Sequence, residues 1–271
     1  MANAQGITGA LLWDMSTGER LYWANTDAGH GFFDEITPEE AVGIAPRWEK
    51  AKEDKNGRRK AKGEVFTPAG IVDEIVSSCW AGASREIAAP WLEVSCGEGA
   101  FMTTRYDAIT GEPIPLADRV GFLDRKLALC TRLASSPAEW WDFALSALKA
   151  SYGYEYQGDS LFLARKNAFL AISEAWEERW EVPFNAEQAM AAAGVICWNL
   201  WQMDGISECL PNPKFDVRRA KGAKYKKGGI AKYASSIGLI PAKVMDWRGE
   251  GPVEFSSVGA YNIGGQKPLL P

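Results

Sequence analysis

The chain has 271 residues, of which 46% are hydrophobic and 24% charged, and its formal net charge is −5. These values exclude a disordered chain, a collagen-like repeat and a coiled coil for the bulk of the sequence. The sequence has no apolar run of about 18 residues, and no basic segment precedes the short apolar run at 10–13, so neither a transmembrane helix nor a signal peptide is predicted.

The cysteines and the histidine limit the chemistry that the chain can perform. There are five cysteines with no C-x-x-C pair, and His30 is the single histidine. We therefore expect free buried thiols in the reducing cytoplasm, with no disulfide framework and no metal site. A histidine-dependent hydrolase is disfavoured for the same reason.

Residues 1–60 are predicted to be an N-terminal extension with a charged helix. Apolar runs at 11–13 and 20–23, separated by Thr and Gly, favour short strands. Thr37 as N-cap, Pro38 in the first turn and Glu40 at the capping-box position mark the start of a helix. We expect that charged helix to extend over about 41–62.

Residues 61–271 are predicted to form one α/β domain. Thr67 and Pro68 mark the start of a helix, and the strand at 91–94 leads into a turn that contains Gly97 and Gly99. Strands and helices then alternate, which favours a parallel sheet with crossover helices. The further helices are expected at 119–130, 137–149, 161–180 and 185–194, the further strands at 151–156 and 195–204, and a hairpin at 242–247 with 252–256.

Each of the three predicted parallel strands carries an acidic residue at or near its carboxyl end: Glu93, Glu155 and Asp204. Ligands of open α/β sheets bind outside the carboxyl ends of the strands. Glycines at 97 and 99 let a ligand approach the backbone closely. A carboxylate can accept both hydroxyls of a ribose, and another can accept from an adenine amine. The pattern predicts a crevice for an adenosine-containing ligand.

The ordered motifs from about 31 to 255 resemble a known family. It is the S-adenosylmethionine-dependent adenine DNA methyltransferases, in particular the modification subunits of restriction-modification systems. The matching segments are 63–68, 91–99, 105–107, 110–112, 121–127, 152–159, 164–167 and 198–205. The resemblance implies a Rossmann-like methyltransferase sheet with crossover helices behind the N-terminal extension.

The resemblance also implies a cofactor, S-adenosylmethionine, and a role for each matching residue. Phe66, Thr67 and Pro68 would pack around the methionine moiety. Glu155 would hold the ribose and Asp204 the adenine ring. The glycine turn itself would comprise Glu93, Ser95, Gly97 and Gly99. Methyl transfer to the exocyclic amine of adenine in DNA would be a direct displacement at the sulfonium methyl.

The chain departs from the family at the catalytic motif. The family has Asn/Asp-Pro-Pro-Tyr/Phe, which holds and stacks the flipped base. The nearest match here is Asn212, Pro213 and Phe215, with Lys214 in place of the second proline. It begins eight residues after Asp204, too close for a complete crossover helix. The family's target-recognition domain has no counterpart either, so catalysis would need this degenerate motif or a second chain.

The stretch 214–232 is basic, with eight Lys or Arg against one Asp. It could contact DNA phosphates, although such runs are commonly solvated surface. The candidate nucleic-acid residues are Arg218, Arg219, Lys221, Lys224, Lys226 and Lys227. Two functions stay open: an adenine DNA methyltransferase that works with a second methyltransferase or restriction subunit, or a non-catalytic relative that binds and regulates such a defence complex.

Overall fold

The computed structural model describes residues 4–24, 29–50, 67–82, 84–224, 229–249 and 251–259. A short parallel sheet of three strands lies at the centre of these residues, in the order β3-β4-β5. Its strands are β3 (Trp91–Glu93), β4 (Ser151–Glu155) and β5 (Leu200–Gln202). Trp91 pairs with Ser151, and Gly153 pairs with Leu200. The mixed α/β class with parallel strands is therefore confirmed.

Helices connect the strands and cover one face of the sheet. The crossover helices are α5 (Phe122–Leu133), α6 (Pro137–Lys149), α7 (Gly158–Trp180) and α8 (Ala186–Asn199). The start of α6 follows from its sequence, because Ser136 caps Glu139 N and Pro137 occupies the first turn. Trp140, Leu123 and Leu161 are fully buried between these helices. They form the largest apolar core of the described residues.

The opposite face of the sheet is covered by an antiparallel hairpin and a short helix. They are β6 (Lys243–Asp246), β7 (Gly251–Glu254) and α11 (Phe255–Gly259). Tyr152, Trp201 and Val244 are buried between the sheet and the hairpin. The hairpin that the sequence predicted is thus confirmed.

The N-terminal residues pack against the same core as the sheet. They form α1 (Ala4–Leu11), the hairpin β1 (Trp13–Asp14) and β2 (Glu19–Arg20), and the short helices α2 (Pro38–Val42) and α3 (Arg47–Lys50). Helix α1 lies against α8. Leu11, Leu12 and Leu21 are buried in the core. The short strands predicted at 11–13 and 20–23 are confirmed only at Trp13 and Arg20, which pair in β1 and β2, because Leu11 ends a helix.

The charged helix expected over 41–62 is also wrong where the structure describes it. The capping box of Thr37 and Glu40 forms as predicted, but the helix ends at Val42. Gly43 and Pro46 separate it from α3, because Pro46 has no N–H to continue the helix. Residues 51–62 lie outside the described residues.

The third parallel strand is shorter than expected. Helix α8 continues through 195–199, where a strand was predicted, and leaves only three residues for β5. A short apolar run such as Val195-Ile196-Cys197 fits a buried helix as well as a strand. Here Val195 and Ile196 are buried in the helical core. In the described ranges, no helix is both long and apolar enough to cross a membrane.

The remaining helices lie around the sheet. They are α4 (Ala69–Cys79), α9 (Val217–Lys224) and α10 (Gly229–Ser236), with 3-10 turns at Ser84–Ala88 and Leu116–Asp118. Helix α4 begins one residue later than predicted, because Pro68 is its N-cap rather than its first residue. Of the four apolar residues that the helical spacing placed together, Val72 and Val76 are buried, whereas Ile71 and Ile75 are exposed.

Candidate functional site

A cavity of about 560 Å³ lies at the carboxyl ends of β3 and β4. The turn after β3 forms its floor, and residues 155–157 after β4 form one side. Loop 103–108 and Asn167 of α7 form another side. Ala24, Trp48 and Thr67 complete the wall from the N-terminal part of the chain.

The turn after β3 has three residues with left-handed backbone conformations. The φ angles are +51° at Ser95, +55° at Gly97 and +79° at Gly99. Glycine adopts such angles without strain, as the sequence predicts for this turn. A Cβ on Gly99 would also lie 3.4 Å from the Cβ of Ala164 in α7. The glycines therefore allow the turn both its shape and its close packing on α7.

Glu155 holds this turn against the end of β4. Its Oε2 accepts a hydrogen bond from Gly97 N at 2.8 Å. Its Oε1 accepts from Tyr156 N at 2.8 Å and from Gln157 N at 3.1 Å. The carboxylate is mostly buried but borders the cavity. It is a fixed acceptor beside the glycine turn.

Glu93 points toward the segment that follows the turn. Its two carboxylate oxygens accept from Phe101 N and Met102 N, each at 3.0 Å. Burial raises the pKa of this carboxyl to about 8, and the charge of Glu155 adds to the rise, while both hydrogen bonds oppose it. Glu93 thus stabilises the floor of the cavity.

Glu98, Tyr106 and Asn167 form a hydrogen-bonded group in the cavity wall. The Tyr106 hydroxyl donates to Glu98 Oε2. Asn167 Nδ2 donates to the Glu98 carbonyl at 3.0 Å and to the Tyr106 hydroxyl oxygen at 3.3 Å. Burial raises the pKa of Tyr106 well above its usual value, and Glu98 contributes to the rise. The tyrosine therefore stays a donor at neutral pH.

Among the described residues, the charged groups that line the cavity are Glu93, Glu98, Glu155 and Arg105. The guanidinium of Arg105 is paired with Glu174, and its NH1 also donates to Asn167 Oδ1 at 3.4 Å. Glu174 pairs in turn with Arg119, at 2.6 Å. Arg105 and Arg119 therefore share one carboxylate, and Glu93, with a pKa of about 8, is mostly protonated at neutral pH. Glu98 and Glu155 are the other acidic residues of the described lining.

The structure brings together most of the residues that were assigned to the cofactor. Thr67, Glu93, Ser95, Gly97 and Glu155 all line the cavity. Pro68 and Gly99 are adjacent in the chain to lining residues but do not line the cavity themselves. Phe66 lies outside the described residues.

Asp204 does not line this cavity. Its Oδ1 accepts from Ile206 N at 2.8 Å and from Ser207 N at 3.4 Å. The carboxylate therefore closes its own turn after β5. The role that the resemblance implies for Asp204, contact with the adenine ring, has no support from the cavity lining.

The degenerate catalytic motif is also separate from the cavity. Asn212 Oδ1 accepts from Lys214 N at 3.0 Å within its own turn. Phe215 packs against Tyr233, with ring centroids 5.7 Å apart. Neither Asn212, Pro213 nor Phe215 is among the lining residues.

The basic residues assigned to DNA lie beyond the degenerate motif. Arg218 and Arg219 are exposed on α9, and Arg219 Nε lies 3.7 Å from Asp216 Oδ2. Lys221 and Lys224 belong to the same helix. Lys226 and Lys227 lie outside the described residues. Neither Arg218 nor Arg219 lines the cavity.

Several cavity residues received no role from the sequence. Glu98 stands between the two glycines, and its position in that turn was the signal that could have identified it. Tyr106 and Asn167 lie in segments on which the resemblance was based, 105–107 and 164–167, but received no role from it. Trp48 carries no such signal, because only folding brings its helix to the cavity.

The described residues contain no group of three or more His, Cys, Asp or Glu side chains arranged to hold a metal ion.

No family model, curated protein or solved structure matches this chain.

Proposed function

We propose that the cavity binds S-adenosylmethionine and that the chain is an adenine-specific DNA methyltransferase-like protein. The observation that carries this proposal is the acidic lining of a cavity formed by a glycine turn and a strand-end glutamate. The ribose hydroxyls of an adenosine can donate to Glu155, and the positively charged part of the ligand suits a lining that is richer in acidic than in basic residues among those described.

The charge of the ligand separates this proposal from other nucleotide functions. S-adenosylmethionine carries a sulfonium, an ammonium and a carboxylate, so its net charge is positive. Dinucleotides and nucleoside triphosphates carry several negative charges and need backbone or cationic partners for their phosphates. The acidic residues of the described lining are Glu93, which is mostly protonated at neutral pH, Glu98 and Glu155, and its one basic residue, Arg105, is bound to Glu174. Methyl donors therefore suit it better than phosphorylated cofactors.

The ligand is proposed to lie across the glycine turn. Its ribose hydroxyls donate to Glu155, and its adenine lies along Tyr156 and Gln157, which line the cavity directly after Glu155. The methionine part lies toward Thr67 and loop 103–108. The open backbone at Gly97 permits this close approach.

Methyl transfer would be a direct displacement: the adenine amine attacks the sulfonium methyl, the bond from sulfur to that methyl breaks, S-adenosylhomocysteine leaves, and the methylated amine releases one proton to solvent. Positioning of the two reactants supplies the rate enhancement, and no covalent enzyme intermediate forms. Because Asn212–Phe215 lie apart from the cavity, the groups that hold the target base would come from a second chain. The same separation favours the alternative, a non-catalytic relative that binds and regulates a restriction-modification or other defence complex.

Calorimetric titration of the folded chain with S-adenosylmethionine and S-adenosylhomocysteine tests the cofactor proposal. We expect binding in the micromolar range. Replacing Glu155 by Gln should weaken binding about tenfold or more, because a charge-assisted hydrogen bond to the ribose is lost. Asp204→Asn should change binding less than about twofold, since Asp204 does not line the cavity. Absence of binding to the folded wild-type chain would contradict the proposal.

Transfer of a labelled methyl group to adenine-containing DNA separates the two functions. We expect no transfer by the chain alone. Transfer after addition of a chain that carries an Asn-Pro-Pro-Tyr motif would support the split enzyme. Inhibition of a modification or restriction complex, without transfer, would support the regulator.

A further inference from the structure

Two arginines share a single glutamate at one wall of the cavity. Arg105, which lines the cavity, and Arg119 both pair with the carboxylate of Glu174 in α7. Burial opposes the ionisation of Glu174, but the hydrogen bonds from the two arginines outweigh it and lower the pKa of this acid. Because both guanidinium groups are charged at neutral pH, this arginine cluster of Arg105, Arg119 and Glu174 has an excess of one positive charge.

The two arginines of the cluster differ in how they are placed. Arg119 is turned into the fold, where its Nε donates to Ile114 O at 3.0 Å and its NH1 donates to Glu174 Oε2 at 2.6 Å. Arg105 borders the cavity, and 19% of its side chain is exposed. The excess charge of the cluster is therefore presented to a ligand by Arg105.

Arg105 keeps donors for a ligand after its bonds to the protein are made. Its Nε donates to Glu174 Oε2 at 3.3 Å, its NH2 donates to Glu174 Oε1, and its NH1 donates to Asn167 Oδ1 at 3.4 Å. A guanidinium has five N–H donors. Within the part of the chain that the structure describes, one donor on NH1 and one on NH2 thus remain.

The acidic residues of the described lining are held by groups other than Arg105. Glu93 accepts from Phe101 N and Met102 N, and Glu155 accepts from Gly97 N. Glu98 accepts from the Tyr106 hydroxyl. Among the described residues, the acid that pairs with Arg105 is Glu174, and Arg105 shares it with Arg119.

We propose that Arg105 binds the carboxylate of the methionine part of S-adenosylmethionine. This inference rests on the proposed function, which places the methionine part toward loop 103–108 and the ribose toward Glu155. A planar guanidinium matches a carboxylate in shape, and hydrogen bonds between two charged groups are stronger than neutral ones. Glu174 and Asn167 hold the guanidinium in place, and Arg119 offsets the charge of Glu174.

A pair of methyl donors isolates this contact. Decarboxylated S-adenosylmethionine has the same adenosine, sulfonium and ammonium as S-adenosylmethionine but lacks the carboxylate. By calorimetry, the wild-type chain should bind it about 10- to 100-fold more weakly than S-adenosylmethionine. Arg105→Met should weaken binding of S-adenosylmethionine by about the same factor. The variant should weaken binding of the decarboxylated form by less than about threefold.

Arg119→Met tests the excess charge without touching the donors of Arg105. It leaves Glu174 to neutralise Arg105 alone, so it should weaken S-adenosylmethionine by about three- to tenfold and spare the decarboxylated form. A purely structural change of the wall would instead weaken both ligands alike. The control is Arg132→Met, the same change at an exposed residue in the last turn of α5 that does not line the cavity. It should leave both affinities unchanged.

The outcomes separate this inference from the proposed function. If the folded wild-type chain binds neither ligand, the proposed function fails. If it binds both equally well, or if Arg105→Met weakens both equally or neither, the carboxylate assignment fails while the cofactor proposal stands. If Arg105→Met does not fold, Arg105→Lys decides with the same ligands. Lysine keeps the charge but not the fork of donors, so it should weaken S-adenosylmethionine by about three- to tenfold and spare the decarboxylated form.

Discussion

Basic side chains complete the backbone hydrogen bonding at one end of the parallel sheet, and acidic side chains complete it at the other. At the amino ends of the strands, the cations Lys126 and Arg165 donate to backbone carbonyls, and both side chains are fully buried. At the carboxyl ends, Glu93, Glu155 and Asp204 accept from backbone N–H groups. The amino end is closed by these bonds, whereas the carboxyl end borders a cavity of about 560 Å³.

An acidic side chain at the carboxyl end of a strand can have two separate roles. It satisfies the N–H groups of the turn that follows, and it can also face a ligand. Glu155 does the first and borders the cavity, whereas Asp204 does only the first. Sequence position alone does not distinguish them. Lys126 and Arg165, at the amino ends of the strands, donate to backbone carbonyls. Variants of these two residues should therefore lower the stability of the fold without changing a direct contact with a ligand.

Arg165→Met is expected to lower the free energy of unfolding more than any other variant considered. The guanidinium donates to Leu200 O at 2.8 Å and to Leu11 O at 2.8 Å, and it pairs with the buried carboxylate of Asp14 at 3.7 Å. Removing it leaves several buried acceptors and one buried acid without their partner. We expect a loss of roughly 3–5 kcal/mol in the free energy of unfolding, measured by urea titration.

The matched control for this variant is the next residue in α7. Lys166 is exposed, and Lys166→Met should change the free energy of unfolding by less than about 0.5 kcal/mol. A small effect of Arg165→Met would contradict the view that the buried cation joins the N-terminal segment to β5.

The sequence allowed the carboxyl end of the sheet to be predicted better than the amino end. Gly97 and Gly99 predict a tight turn because glycine adopts left-handed backbone angles easily. Ser136 and Thr37 predict helix starts because their side chains cap the first turn. Arg165 and Lys126 carry no such mark, because their partners are backbone carbonyls of distant segments. A buried lysine or arginine in an amphipathic helix has the same sequence pattern as an exposed one.

The cavity wall was predicted only in part for a related reason. Glu98 lies within the glycine turn, but Tyr106 and Asn167 reach it through separate loops and helices. The length of β5 was overestimated because an apolar run does not reveal whether it continues as helix. The position of Phe215, which packs on Tyr233 rather than at the cavity, depends on tertiary contacts alone.

The next largest loss of stability is expected for a variant of Lys126, which lies at the amino ends of β3 and β4. Lys126 Nζ donates to Ala89 O at 2.7 Å and to Ala150 O at 2.8 Å. Lys126→Met should lower the free energy of unfolding by about 1–3 kcal/mol, because these carbonyls lose a buried donor. Lys243→Met, at an exposed position of β6, is the control.

The stability difference between the wild type and Lys126→Met should change with pH in a defined direction. Burial lowers the pKa of Lys126 to about 7 from 10.5, so between these values the unfolded chain binds more protons than the folded chain. The contribution of Lys126 to stability therefore rises with pH in this window. The stability difference between wild type and Lys126→Met should increase from pH 7 toward pH 10, and a constant difference would contradict the burial of the ammonium.

The smallest loss in the free energy of unfolding is expected for Glu93→Gln, at the carboxyl end of β3. The amide oxygen can replace one acceptor for Phe101 N or Met102 N, so the loss at low pH should be about 1 kcal/mol. Since burial raises the pKa of Glu93 from 4.5 to about 8, the folded chain binds more protons than the unfolded chain between these values. The advantage of the wild type over Glu93→Gln should therefore decrease as pH rises from about 4.5 to about 8, opposite in sign to Lys126. Urea titrations of Glu93→Gln from pH 4.5 to 8 and of Lys126→Met from pH 7 to 10 test whether the two ends of the sheet titrate in opposite directions. An advantage of the wild type over Glu93→Gln that grows with pH would show that Glu93 is stabilised as the carboxylate.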